Sequence, residues 1–492
     1  PDNFEYPRYC LDVAFFRVYE NNAPAKIQHF LKWSGKGAAD GELVFVSGHP
    51  GKTDRLNTIK HLEFARDMIN PTSLRVLKRR EVALASWSAR SAENARRAQD
   101  LLFSYQNARK ARDGMLAGLQ DPSVMATKAK AEQELRQRVL SKPDLKEKYG
   151  SAWEQVDTAL AAYKPIYTEF YLLERPAGAF NSDMFLIARD LVRYASESKK
   201  PNSERLREYS EAGVESLKQE LFSEAPIYKD FEIVKLSDSL SMLVEWLGAE
   251  HELVKKVLAG KSPRERAADL VNNSKLSDVA SRKQLFQGGL AAVQSSNDPM
   301  IQLVALVDPY ARKVRSAFEE KVDEPLKQAY AKIAQARFAA YGSSVYPDAT
   351  FTLRLSYGQV KGYTDNGQPV PAQTTFAGLY ARAADHKFRE PFDLPQRWKD
   401  NRTKLDLNTP YNFVTTNDII GGNSGSPIVN RNNEIVGIIF DGNIQSLVLD
   451  YLYTDEQSRA LSVHSAGILE ALRKVYNATG LAGELTGSKS GS

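Results

Sequence analysis

Gly421-Gly422-Asn423-Ser424-Gly425-Ser426-Pro427 places a serine between glycines, closes the turn with a proline and lies between two apolar runs. A serine that attacks a carbonyl needs a tight turn that exposes its hydroxyl and aims backbone N–H groups at the developing oxyanion. Ser424 is therefore a candidate nucleophile. A hairpin loop rich in glycine, serine and asparagine has the same composition, so the flanks must decide. Pro410-Tyr411-Asn412-Phe413-Val414 leads in, and Pro427-Ile428-Val429-Asn430 leaves as a short strand. Arg431-Asn432-Asn433 turns the chain, and the β-rich run from Glu434 to Phe440 ends at Asp441-Gly442-Asn443, which sets a hairpin behind the serine.

A chain of 492 residues has material for about two or three domains. Its net charge of +5, with 26% charged residues in short basic runs interleaved with acids, leaves no nucleic-acid footprint. No apolar run approaches the roughly eighteen residues of a membrane span. Cys10 is the one cysteine and permits no internal disulfide, and histidines and cysteine are too few and too scattered for a metal-ligand set. Serine chemistry of this kind needs no cofactor. The chain opens Pro-Asp-Asn-Phe without an initiator methionine, from which we expect it to start inside a longer precursor, with any signal peptide outside it. Low cysteine usage then does not assign a compartment.

Outward from the serine the pattern changes twice. Residues 1–60 have β character, with Leu11 to Tyr19 and Glu42 to Gly48 as strands and a turn at Gly48-His49-Pro50-Gly51. Asp12 heads the first of these; on its own it reads rather as a strand-edge aspartate satisfied by local N–H groups. From 61 to 342 the apolar period is helical. Leu236, Leu240, Leu243 and Leu247 share one face, Leu206, Tyr209, Leu217 and Leu221 another, and Ser262-Pro263-Arg264-Glu265 is a capping box. From 343 to 480 the β pattern returns: Phe351, Leu353, Leu355 and Tyr357 alternate with Thr352, Arg354 and Ser356, which predicts a strand with one buried face. Residues 365–405 read as loops, Ser462 to Tyr476 as an amphipathic helix, and 481–492 as a disordered tail. The sequence thus predicts an α+β protein: one discontinuous β domain carrying a large α-helical insertion.

Several of these pieces resemble known enzymes. In the Gly-Asp-Ser-Gly-Gly-Pro turn of chymotrypsin-like proteases the oxyanion donors are the N–H groups of the serine and of the residue two before it, here Ser424 and Gly422. The strand behind that turn pairs with substrate and walls the specificity pocket, a place occupied here by Phe440, Asp441 and Gly442. Further matches are Asp2-Asn3-Phe4-Glu5-Tyr6-Pro7-Arg8 with Asp12 and Phe16-Arg17-Val18-Tyr19, Ser47-Gly48-His49-Pro50-Gly51, Tyr346-Pro347-Asp348-Ala349, Leu353 to Gly358 and Asn412 to Asp418. Together these resemble the bacterial dipeptidyl-peptidase 7 and 11 type of serine aminopeptidase, a chymotrypsin-like double β-barrel with an inserted helical domain.

The resemblance implies Ser424 as nucleophile and Asp12 as triad acid. It implies Asn3, Phe4, Arg8 and Asp441 as the group that holds the free amino terminus of an oligopeptide, with Asn107 as the helical-domain asparagine that completes it. Relatives carry tryptophan where Phe4 stands, so a ring N–H is absent here. Arginine at the position of Gly442 selects acidic second residues in the family; glycine implies a hydrophobic preference. A turn requirement for positive φ would also explain that glycine. The family implies a homodimer in the periplasm or outside the cell.

The triad order is His, Asp, Ser, yet none of the six histidines precedes Asp12. The resemblance places the base in a first barrel upstream of Pro1, so we expect the N-terminal barrel to be largely missing here and the chain alone to be inactive. His464 reads as structural. Two other readings remain at the level of sequence: a peptide-binding pseudoprotease or scaffold that has lost catalysis, and an ordinary endopeptidase, which the helical insertion disfavours.

Overall fold

The computed structural model describes residues 3–176, 178–344 and 346–487. The chain divides into two units, one of Pro1–Arg75, Gln106–Arg138 and Arg337–Ser492, the other of Val76–Tyr105 and Val139–Ala336.

The second unit is helical. Leu236, Leu240 and Leu243 lie fully buried on the helix Lys229–Leu247, as their spacing predicts. Ser262 and Glu265 form a reciprocal capping box at the start of Pro263–Asn273. The second apolar face is not one helix. Only Leu217 and Leu221 share the helix Val214–Leu221, whereas Tyr209 ends the single 3₁₀ turn Arg207–Tyr209 and Leu206 precedes it. Tyr209 is buried there because its hydroxyl donates to Asp190 at 2.8 Å.

The first unit is built on a sheet. Its strands are β1 Tyr19–Glu20, β2 Ala23–Pro24, β3 Lys32–Trp33, β4 Leu43–Gly48, β5 Arg354–Gln359, β6 Tyr363–Asp365, β7 Gln368–Val370, β8 Gln373–Thr375, β9 Pro410–Thr415, β10 Pro427–Val429, β11 Glu434–Gly442 and β12 Ala460–His464. The main sheet has eight strands in the order β5-β4-β10-β11-β12-β9-β8, with β3 parallel to β11. Val44, Val46, Phe413, Ile428, Val436 and Ile439 make its buried layer. An isolated bridge joins Val360, just past β5, to Thr415 at the end of β9, and Lys361 N–H donates to the Val414 carbonyl at 3.2 Å.

Five expectations change. The run from Leu11 to Tyr19 is strand only at its last residue, where β1 meets β2; the rest finds no strand partner among the described residues, and Phe16 is 91% exposed. A β pattern becomes a strand only when another backbone supplies the N–H and C=O groups. The alternating residues at 351–357 point the opposite way from the prediction: Phe351, Leu353, Leu355 and Tyr357 are exposed. Inward lie Ser356 and Gly358, because the chain passes close there; a Cβ on Gly358 would sit 2.4 Å from the Asn417 nitrogen. Residues 365–405 are not all loop: they hold β6 and β7, paired with each other, β8, and the helices Phe376–Asp385 and Gln396–Asn401. At the C-terminal end Ser462 to His464 belong to β12 and the helix begins at Ser465. The tail carries a helix, Thr479–Leu485, anchored by the fully buried Ala482 beside Ile468 and Leu469; residues 488–492 lie outside the described residues.

Candidate active site

Ser424 stands exposed at the tip of the turn between β9 and β10. Gly422 at φ 108° and Gly425 at φ 83° bracket it in conformations a side chain resists. Gly422 is also pinned from outside, since a Cβ there would lie 2.4 Å from the His49 carbonyl oxygen. The turn is tied to the sheet by Gly425 N–H to the Ile439 carbonyl, 2.7 Å, and Ile439 N–H to the Ser426 carbonyl, 3.0 Å. The N–H groups of Gly422 and Ser424 donate to no acceptor among the described residues, so both remain available to an oxyanion.

The strand behind the serine carries a bulge. Ile439 faces Ser462 and Asp441 faces Leu461, so Phe440 is the extra residue on β11. Its carbonyl receives the Ser424 hydroxyl at 3.4 Å, a long and weak bond that leaves the oxygen uncommitted.

Past the bulge, Asp441 gathers the N-terminal segment. Its Oδ2 accepts from the Phe4 N–H and from Arg8 Nη1, each at 3.0 Å, and its Oδ1 accepts from the Gly442 N–H at 2.9 Å. Burial pushes the Asp441 carboxyl up from its ordinary range, and these donors oppose that shift. Arg8 also lies over the Phe440 ring, 5.4 Å from its centroid. Asn3 Nδ2 donates to Asn107 Oδ1 at 2.6 Å, with Asn107 midway along the helix Ala92–Gln120, and Lys110 holds Glu5 at 2.6 Å. Five of the residues singled out in the sequence, Asn3, Phe4, Arg8, Asn107 and Asp441, thus meet in one corner, with Phe4 and Asp441 bonded across 437 positions of the chain.

Gly442 lies within β11 opposite Ala460 and does not have positive φ. Close approach explains it instead: a Cβ would meet Ser446 Oγ at 2.3 Å. Asp12 is exposed and accepts no hydrogen bond among the described residues. Ser424 likewise makes no hydrogen bond to a histidine among them. His464 is fully buried; its Nδ1 accepts from the Ala466 N–H at 3.3 Å, its Nε2 lies 3.2 Å from the Ala38 carbonyl oxygen, and burial lowers its pKa to about 4.

Other supports were not legible in the sequence. Arg55 grips Asp418 with two bonds of 2.6 and 2.7 Å, anchoring the chain six residues before the nucleophile. Asn412 exchanges hydrogen bonds of 2.7 and 2.8 Å with the Cys10 backbone, and Thr374 Oγ1 donates to the Arg8 carbonyl at 2.9 Å, fixing the segment that bears Arg8. Among the described residues no group of three or more histidine, cysteine, aspartate or glutamate side chains could hold a metal ion, and no helix is long and apolar enough to cross a membrane.

An exposed serine turn thus stands beside a corner in which Asp441, Arg8, Phe4, Asn3 and Asn107 converge. Residues 1–487 match Peptidase S46, and the chain belongs to that family. It is 27% identical over 547 residues to the Asp/Glu-specific dipeptidyl-peptidase of Shewanella putrefaciens, an alignment covering 98% of this chain and 71% of that protein. It is 26% identical over 518 residues to dipeptidyl-peptidase 7 of Phocaeicola vulgatus, covering 99% and 70%. The crystal structure of Porphyromonas endodontalis DPP11 in complex with the dipeptide Arg-Glu matches with a TM-score of 0.78 at 19% identity, covering 98% of this chain and 71% of that one. The helix-rich α+β fold is that of this structure. Identities of 27% and 26% do not separate an acidic from a hydrophobic preference.

Proposed function

We propose that this chain carries the nucleophile and the amine-binding corner of a serine dipeptidyl aminopeptidase, which releases dipeptides from the free N-terminus of oligopeptides and prefers a hydrophobic second residue. The observation that carries the reading is the unused acceptor capacity of the corner. A carboxylate has about four lone-pair sites, and Asp441 commits three of them within the chain. Asn3 spends an N–H on Asn107, which leaves the Asn3 Oδ1 without a donor among the described residues. A peptide ammonium brings three N–H groups and a positive charge, which suits such a corner.

On this reading Ser424 Oγ attacks the carbonyl of the second substrate residue. The N–H groups of Gly422 and Ser424 receive the oxyanion, the peptide amine leaves with the serine proton, and water hydrolyses the resulting ester. Proton transfer needs a base, and no histidine among the described residues is hydrogen-bonded to Ser424. The reading therefore takes the histidine from outside them, with Asp12 as its orienting acid. It also takes the sheet to close as a chymotrypsin-like barrel, with the Val360–Thr415 bridge as the observation in favour. From the family resemblance it takes a homodimer, periplasmic or secreted.

The preference for a hydrophobic second residue rests on Gly442, which puts no charge beside the bulge. Affinities of this chain for free-amine dipeptides ending in phenylalanine and in glutamate test it: tighter binding of the phenylalanine dipeptide is expected, and tighter binding of the glutamate one overturns the preference. Turnover of a dipeptidyl fluorogenic substrate by this chain, lost in Ser424→Ala, would refute the need for an outside base.

A further inference from the structure

Behind the amine corner, the same N-terminal segment walls a cavity of about 470 Å³. That size is typical of small-molecule sites, which range over roughly 300–1,000 Å³. The segment alternates. Phe4 and Arg8 reach Asp441, whereas Glu5, Pro7 and Tyr9 line the cavity. Opposite them stand Leu379 and Ala383 of the helix Phe376–Asp385, followed by Phe392 and Leu394.

Three charged side chains face this space, and two are already neutralised. Lys110 holds Glu5 at 2.6 Å, and Lys399 holds Asp393 at 2.7 Å. The third is Arg382. Its guanidinium lies 5.2 Å from the centroid of the Phe392 ring and makes no hydrogen bond or ion pair with any described residue. It is close enough to Tyr9 to oppose the burial that raises the pKa of that phenol. Its guanidinium presents five N–H donors in a fork that matches a carboxylate.

We propose that this cavity binds a small apolar monocarboxylate, with the carboxylate on Arg382 and the Tyr9 hydroxyl and the apolar body against Leu379, Phe392 and Leu394. The site is distinct from the peptidase corner and does not depend on the peptidase reading. Because its wall is the segment that presents Phe4 and Arg8, a bound carboxylate supports that segment from behind.

Calorimetric titration of the full chain with 4-phenylbutyrate tests the proposal. Saturable binding of one molecule per chain is expected, with no binding of the neutral 4-phenylbutyramide. Arg382→Gln should weaken binding by about tenfold or more, the loss expected for a charge-assisted pair. Ala383→Trp, which fills the cavity while retaining the arginine, should abolish it, and Ser424→Ala should bind like the parent. Circular dichroism establishes that each variant is folded. Absence of saturable binding by the folded parent, equal binding of the amide, or undiminished binding by folded Arg382→Gln would overturn the proposal.

Discussion

The Asp441 corner and the two residues proposed for proton transfer and attack, Ser424 and Asp12, are built in opposite ways. In the corner Asn3, the Phe4 N–H, Arg8 and Asp441 each have a partner within the chain, and the Asp441 side chain is only 11% exposed. At the nucleophile, Ser424 has one long bond to a carbonyl and Asp12 has none among the described residues. On the proposed reading, the corner is therefore preorganised by these residues, whereas Ser424 and Asp12 are not joined by a hydrogen bond among the described residues.

The largest effect should come from disarming the corner. Asp441→Asn removes the carboxylate charge that the buried Arg8 meets at 3.0 Å, and loss of one partner of such a pair costs about 3–5 kcal/mol. Urea unfolding should show most of this, and dipeptide affinity measured on the folded fraction should fall at least a hundredfold, about 2.7 kcal/mol. Ser424→Ala, by contrast, should leave both unchanged; a similar loss there would erase the distinction between the two regions.

A second buried carboxyl extends the contrast through pH. Burial, reinforced by Asp54, raises the pKa of Asp450 from 3.8 to about 7, while Arg112, Lys52 and Arg55 oppose the shift. A carboxyl whose pKa is raised in the folded state contributes stability that is fully present below pH 3.8 and is lost as pH rises towards 7. At about 1.4 kcal/mol per unit, the effect is on the order of 4 kcal/mol. Asp450→Asn should therefore raise the melting temperature at pH 8 more than at pH 5. An equal rise at both pH values would show that Asp450 does not titrate in this window.

Smaller effects probe the edges of the corner. Gly442→Ala drives a methyl into Ser446 Oγ at 2.3 Å and should cost about 1–3 kcal/mol in thermal stability. Exposed Gly421, where an added methyl would have nothing within 4 Å, should accept alanine with little change. Asn107→Ala removes one hydrogen bond to Asn3 and should weaken dipeptide binding by about 1 kcal/mol, leaving stability nearly as it was.

The serine turn, the hairpin behind it and the helical stretch were legible in the sequence because each is specified locally: glycines and proline for the turn, β-branched residues for Glu434 to Gly442, and a period of 3.6 for Leu236, Leu240 and Leu243. The corner was legible only through family resemblance, because no local pattern links Phe4 to Asp441 across 437 residues. Periodicity failed where a face had to be chosen. Alternation at 351–357 gives the period of a strand but not which side meets the core, and the close passage of Asn417 over Gly358 turned the apolar residues outward. The run from Leu11 to Tyr19 shows the same limit, since β propensity describes a fit to a partner strand that the sequence window does not contain. Arg55, which pairs with Asp418 ahead of the Ser424 turn, carries no signal in the sequence beyond being charged.

The most direct test of the amine corner compares a free-amine dipeptide with its N-acetylated form in calorimetric titration of this chain. Acetylation removes the charge and two of the three ammonium N–H groups while leaving the side chains in place. Saturable binding of the free-amine form is expected, with no measurable binding of the acetylated form and loss of the difference in Asp441→Asn. Equal binding of both forms would contradict the claim that the Asp441 corner holds a peptide's amino terminus.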